Sequence, residues 1–329
     1  MSIVRSRLGL AVAVAALLGA SCSEPQRAGA PHGSRTTDRA TVGPGETIRV
    51  ARGVRYRAVS EHDPLTNGSP VWLIEAQLGI PGPVIRVVSS GLDENESPRY
   101  GDCHTTALWC AATGAVAAIN GGYFGDGDDR RKEIIGLLVG DRMVLSSGSQ
   151  RRGSSGTYVR SVFGIGLDGA PGIRWATGRR GRKADLAWYA EPGQAQASGI
   201  WSVREAVGCG PTLVVGGKVR VTDREERLVS RGRLTRTFIG YSSRSGRPDR
   251  LVMAVGYAME YRDAAAFMVG YFKREYGAAC ERAMCLDGGA SSQLTCIADG
   301  GVVEPYTAYV TVPTAIVVKA RVEGSADGS

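Results

Sequence analysis

Three segments pair reactive side chains with glycines, and each follows or opens an apolar run. The first is Ala117-Ala118-Ile119-Asn120-Gly121-Gly122-Tyr123-Phe124. Gly121 and Gly122 permit a sharp turn and close backbone approach to a ligand. The Asn120 amide would then point out at a strand end, where clefts form. The same residues also read as an Asn-Gly hairpin turn. The second is Ala283-Met284-Cys285-Leu286-Asp287-Gly288-Gly289-Ala290-Ser291-Ser292. Asp287 closes an apolar strand there. Gly288 and Gly289 let backbone N–H groups converge into an anion-binding concavity, and Ser291 and Ser292 add hydroxyls. Such a group suits an oxyanion or a sugar hydroxyl; a structural Asx turn is the alternative. The third is Arg233-Leu234-Thr235-Arg236-Thr237-Phe238-Ile239-Gly240. Arg236 opens an apolar strand, placed for bidentate contact with phosphate. Otherwise it is a solubilising charge on an edge strand.

Short β-rich runs bounded by turn residues must position these groups. They fall at 71–78, 84–88, 115–119, 134–139, 158–165, 212–215, 237–241, 251–255 and 314–318. Several are apolar almost throughout, as strands buried on both faces would be. A helix is expected over 262–276, where Ala265, Met268, Val269 and Phe272 recur at helical spacing. Asp263 charges its first turn and Gly277 ends it. A second helix is expected over 105–113. The expected class is α+β, with mixed, mainly antiparallel sheets and a few packed helices.

The 329 residues include 43% apolar residues, enough for a sizeable core, and 46 glycines spread along the chain as turns. Arg5 and Arg7, an apolar run over 8–18 and Gly19-Ala20-Ser21 read as an export signal over 1–21. Cys22 follows at once and is the expected lipidation site, which would tether the chain to a membrane; simple cleavage and release is the alternative. Residues 22–45, rich in Ser, Pro, Gly and Ala, read as a flexible tether. The folded domain is expected over 46–322, and 323–329 as a disordered tail. Six cysteines remain after Cys22, an even number suited to disulfides in an oxidising compartment, with Cys103 and Cys110 forming one local candidate pair.

Several functions find no support. Net charge is +8, but no motif or aromatic interleaving accompanies it, so no nucleic acid partner is expected. The dense patch Arg179-Arg180-Gly181-Arg182-Lys183 reads as a solvated loop or a surface contact for an anionic polymer. Gly164-Ile165-Gly166-Leu167-Asp168-Gly169 matches a dinucleotide fingerprint, but Ala170-Pro171-Gly172 follows instead of a helix. The nucleophile elbow Gly-x-Ser-x-Gly does not occur. Asp126-Gly127-Asp128-Asp129 lacks the glycine and distal glutamate of a calcium loop. With three scattered histidines and no Cys-x-x-Cys pair, neither a metal nor a cofactor is expected.

Taken together, the motifs resemble the phosphodiester glycosidase family, the N-acetylglucosamine-1-phosphodiester alpha-N-acetylglucosaminidase-like domain. The resemblance rests on Asn120-Gly121-Gly122-Tyr123-Phe124 and on Gly210-Pro211-Thr212-Leu213-Val214 with Gly216-Gly217-Lys218. Arg236-Thr237-Phe238-Ile239-Gly240, Leu286-Asp287-Gly288-Gly289-Ala290-Ser291-Ser292 and Val312-Pro313 follow in order. It covers about residues 80–320. Ala290 stands where the family commonly has a third glycine, and 242–249 departs from the family's hairpin. The resemblance implies hydrolysis of a sugar-1-phosphodiester at the glycosidic carbon. Arg236 would hold the phosphate. Asp287 would act as nucleophile or general base, or hold a sugar hydroxyl. Asn120, Ser291 and Ser292 would orient the substrate, with Gly121, Gly122, Gly288 and Gly289 around it. Most glycosidases use two carboxylates, and the second is sought among Glu133, Glu205 and Asp223. The rival readings are a non-catalytic envelope lipoprotein that binds phosphosugar polymers, and a metal-dependent enzyme that cuts the P–O bond.

Overall fold

A computed structural model of the chain describes residues 45–79, 82–92, 100–148, 158–229, 232–307 and 310–321. The expected signal, Cys22, nearly all of the tether and the expected tail lie outside the described residues. The described residues form 22 strands in four sheets. The largest sheet has eight strands. Their spatial order is Thr47–Ala51, Val54–Val59, Val71–Gln77, Arg247–Met259, Leu234–Arg244, Cys280–Cys285, Thr212–Val215 and Lys218–Val219. A second sheet runs Met143–Ser146, Leu138–Gly140, Gly199–Cys209, Ser161–Gly166, Pro171–Thr177, Asp185–Tyr189. Its long strand Gly199–Cys209 also pairs with Asp185–Tyr189, so four of its strands close into a ring. A third sheet runs Gly301–Tyr306, Leu294–Ala298, Ala117–Asn120, Thr314–Lys319, Val84–Ser89, and a small fourth sheet holds Tyr100–Asp102, Arg131–Ile134 and Phe124–Gly127.

The main core lies where three sheets face one another. The eight-stranded sheet contributes Tyr56, Ile74, Ile239 and Met253. The six-stranded sheet contributes Phe163, Ile173 and Val207, and the five-stranded sheet Ile119, Leu294 and Ile316. On its other face, the eight-stranded sheet packs Leu73, Phe238 and Val252 against Phe267, Met268 and Phe272 of the helix Tyr261–Tyr276. Each such side chain contributes about 1.5–3 kcal/mol when fully buried. A capping box between Glu260 and Asp263 starts this helix, and Gly277 at φ 59° ends it. The helix Thr106–Thr113 starts on Thr105, whose side chain accepts from Leu108 N, and ends on Gly114 at φ 64°.

The expected α+β class is corrected to a β-rich fold. Two α-helices stand against 22 strands among the described residues, and every strand pairing there is antiparallel. The near-continuous apolar runs have a different cause from helices layered over a mixed sheet. Sheets pack on sheets, so strands such as Leu234–Arg244 are buried on both faces with one helix covering a single face. The six cysteines expected to pair are all buried and carry free thiols in this structure.

Candidate active site

The three motifs meet at the ends of two sheets. Ala117–Asn120 lies between Leu294–Ala298 and Thr314–Lys319 in the five-stranded sheet. In the eight-stranded sheet, Leu234–Arg244 pairs with Cys280–Cys285, and Leu286 N donates to Thr237 O at 2.8 Å. Asp287 leaves that strand and crosses to the other sheet, its N–H donating to Gly121 O at 3.1 Å. Asn120 fastens the junction. Its Nδ2 donates to Asp287 O at 2.7 Å. Its Oδ1 accepts from Thr237 Oγ1 at 2.9 Å and from Gln293 N at 3.1 Å. With no exposed surface, Asn120 turns its amide to the protein. Gly121 and Gly122 also serve close backbone packing. A Cβ on Gly121 would collide with Thr314 Oγ1, and one on Gly122 would lie 2.5 Å from Gly208 O.

Asp287 has an altered acid strength. It sits half-buried beside a single 3₁₀ turn, Gly289–Ser291, with Gly289 at φ 63°. Burial pushes its carboxyl up to about 6; the Ser291 hydroxyl, the Gly288 N–H and the Lys132 charge oppose that rise without cancelling it. Gly288 N donates to Asp287 Oδ1 at 3.0 Å. A carboxyl that titrates near neutrality can either take or give a proton. Arg236 runs alongside: a Cβ on Gly288 would stand 4.0 Å from Arg236 Cδ. Its Nε donates to Met259 O at 3.1 Å and its Nη2 to Gly232 O at 2.8 Å. Its guanidinium lies 4.0 Å from the Tyr261 ring centre. Two of its nitrogens are thus already engaged with protein carbonyls. Ser291 is at the Asp287 carboxyl, whereas Ser292 is fully buried with its Oγ 3.5 Å from Thr235 O.

A sequence profile described as phosphodiester glycosidase matches residues 113–319, more than half of the chain. The chain belongs to the phosphodiester glycosidase family. Solved structures share its fold. One is a protein from Synechocystis, 16% identical with a TM-score of 0.52; the match covers 85% of this chain and 64% of that longer one. Another is the catalytic domain of zebrafish N-acetylglucosamine-1-phosphodiester alpha-N-acetylglucosaminidase, auto-inhibited by its pro-peptide. It is 15% identical with a TM-score of 0.50, and the match covers 85% of this chain and 96% of that one. By sequence, none of the curated proteins matches.

In this phosphodiester glycosidase domain the three candidates for a second carboxylate have different surroundings. Glu205 is buried and held by the Arg86 guanidinium and by Val87 N at 2.7 Å, so it ties two sheets together. Glu133 lies in Arg131–Ile134, opposite Tyr100. Asp223 acts on Tyr261, the ring beneath Arg236. Burial raises the Tyr261 hydroxyl foremost, and the Asp223 charge adds to that rise. Sequence reasoning overlooked Tyr123, Lys132, Arg160 and Gln293. Tyr123 donates to Gly210 O at 2.6 Å, inside a motif already recognised. Gln293 accepts from Thr106 N at 2.9 Å and donates to Val310 O at 3.1 Å. Lys132 donates to Thr311 O at 2.8 Å and lies 4.8 Å from the Phe124 ring centre. A Lys between Arg131 and Glu133 gives no sequence signal of burial.

Proposed function

We propose that this chain is an exported hydrolase that cleaves the glycosidic bond between a sugar and a phosphodiester. The observation that carries the reading is the Asp287 carboxyl, which burial raises to about 6. It lies within the family's motif, and the residue after it, Gly288, packs beside the Arg236 side chain. Above that pH the carboxylate is free to attack the anomeric carbon or to activate water. Gly288 N–H and Ser291 hold it in place. The leaving group is a phosphate monoester, stable without a proton, so a strong general acid is not required. A positive charge near the phosphate stabilises the charge that grows there. Export is supported by the basic start, apolar run and small residues over 1–21, and membrane tethering by Cys22. Mass spectrometry of the mature N-terminus tests both.

The test of activity is sugar release from UDP-N-acetylglucosamine and related phosphodiester glycosides. Wild type is compared with Asp287→Asn and Arg236→Ala. Full turnover by a folded Asp287→Asn protein would refute the role of Asp287. A second reading, a non-catalytic envelope lipoprotein that binds phosphosugar polymers, is favoured by one observation: Glu205 is committed to Arg86 and Val87. Tight binding of phosphodiester glycosides without release of sugar would select it.

A further inference from the structure

Among the described residues, Arg160 is a cation without a counter-charge. It directly precedes the strand Ser161–Gly166, and its Nε is shut off from solvent with no hydrogen-bond partner. No described residue forms an ion pair or a side-chain hydrogen bond with its guanidinium. Two rings lie close to it, Tyr123 at 5.7 Å and Tyr158 at 5.6 Å from ring centre to guanidinium carbon. Aromatic faces attract and position a cation, yet leave its N–H donors unused. Arg160 as a whole is half-buried, but its enclosed Nε–H with nothing to bond to is disfavoured unless something else supplies the acceptor.

The space beside it fits such an acceptor. Arg160, Tyr123 and Thr177 line a pocket of about 40 Å³ whose other walls include glycines and the apolar Leu137, Val162 and Ala176. Each water needs roughly 10–15 Å³, so the pocket has room for a few waters or one phosphate-sized group. Part of its lining is bare backbone. A Cβ on Gly208 would lie 2.8 Å from Leu137 N, and one on Gly136 would lie 3.2 Å from Gly208 O. The chain links the pocket to Asp287, whose N–H donates to Gly121 O at 3.1 Å, two residues before Tyr123. Tyr123 follows Gly121-Gly122 directly. Burial raises its hydroxyl first, and the Asp287 charge raises it further. Cys209 is raised by the same two causes in the same order. Arg236, by contrast, has given Nε and Nη2 to the Met259 and Gly232 carbonyls.

We propose that this cavity is an anion subsite of the Asp287 site, in which Arg160 holds the phosphate of a phosphodiester-linked sugar. The proposal rests on the glycosidase reading above and assigns the phosphate contact to a residue outside the family's motifs. In the reaction, the hydroxyl of water bonds to the anomeric carbon. The carbon–oxygen bond to phosphate breaks, and its electron pair stays on the phosphate oxygen. The water proton leaves through Asp287. The phosphate group gains one negative charge as the bond breaks, and an Arg already seated on it stabilises that change most.

The experiment uses the mature chain as wild type, Arg160→Met and Arg160→Lys. Two readouts are taken: kcat/KM on UDP-N-acetylglucosamine relative to p-nitrophenyl N-acetylglucosaminide, and the rise in melting temperature caused by inorganic phosphate. The preference for the phosphodiester should fall by about 10²–10³-fold in Arg160→Met. The phosphate-induced rise should vanish with it. Lys, a point charge without the planar fork, should restore part of both. If wild type cleaves neither substrate, the glycosidase reading fails, while a phosphate-induced rise that needs Arg160 would still support the subsite. An unchanged preference and an unchanged phosphate response in a folded Arg160→Met protein would overturn the proposal. So would a wild type that phosphate does not stabilise at all. Should Arg160→Met fail to fold, Arg160→Lys decides: wild-type values in both readouts would overturn it, and partial loss would support it.

Discussion

Asn120→Ala separates an amide that touches a ligand from one that joins two sheets. In the folded protein Asn120 makes three hydrogen bonds, to Asp287 O, Thr237 Oγ1 and Gln293 N, and has no exposed surface. Alanine removes all three and leaves a carbonyl, a hydroxyl and an N–H buried without those partners. Each buried group left unpaired costs about 1–3 kcal/mol. The Thr237 hydroxyl can rotate toward another acceptor, which places the total at roughly 3–5 kcal/mol when the partners are only partly re-satisfied. Against a typical stability of about 5–15 kcal/mol, that is a large fraction. For a domain of this size it corresponds to a fall in melting temperature of roughly 6–20 °C, at about 2–4 °C per kcal/mol. Urea unfolding at constant pH, followed by tryptophan fluorescence, measures the loss, with sugar release measured in parallel well below the melting temperature. If Asn120→Ala kept stability within about 1 kcal/mol of wild type and lost only activity, the structural assignment would be wrong. The amide would then have its role on the substrate.

Asp287→Asn should stabilise the protein at neutral pH while abolishing sugar release. The folded carboxyl titrates near 6 against an ordinary value of 3.8. The native state therefore holds the proton more tightly than the unfolded chain does. Stability falls as pH rises from about 4 to about 6, and above that range the charged form costs up to about 3 kcal/mol, which asparagine does not incur. Urea unfolding at pH 4.5 and 7.5 checks this: the gain should be about 3 kcal/mol at 7.5 and should shrink to about 1 kcal/mol at 4.5. Gly122→Ala should destabilise by about 1–3 kcal/mol because its Cβ presses on the Gly208 carbonyl; a melting temperature equal to wild type would contradict it. Glu226→Ala should cost at least about 3 kcal/mol, because the buried carboxylate accepts from Ser161 N, Ser161 Oγ, Trp175 Nε1, Thr212 N and Thr222 Oγ1. Soluble expression and thermal unfolding read that loss.

The grouping of Asn120, Arg236, Asp287 and Ser291 was legible because each belongs to a short motif at a strand end. Strand ends are where a β-rich fold gathers side chains into clefts. Their individual duties were less legible. An Asn before two glycines reads the same whether its amide faces a ligand or, as here, the Asp287 carbonyl of another sheet. Gly122 shows the same ambiguity, since close approach in sequence terms does not say to what, and the answer is Gly208 O. Most of the nine expected strand runs coincide with strands, although 134–139 straddles the end of one and the start of another, and strands such as Gly199–Cys209 were not expected. The class was misread because apolar runs such as Leu234–Arg244 do not reveal whether a helix or another sheet covers each face. Arg160 and Glu226 gave no signal, because what surrounds a single charged residue includes partners far along the chain, as Ser161 and Trp175 are for Glu226.

The six free cysteines give the molecule a built-in opening gauge. Cys110, Cys285 and Cys296 have thiols pushed up to about 12 by burial, so almost no thiolate exists at neutral pH. Alkylation then requires both access and ionisation, which only local or global opening supplies. The thiols are distributed over separate layers: Cys110 in the first helix, Cys296 in the five-stranded sheet, Cys209 in the six-stranded sheet, Cys280 and Cys285 in the eight-stranded sheet. The order in which they react with an alkylating reagent therefore reports the order in which those layers separate from the native protein.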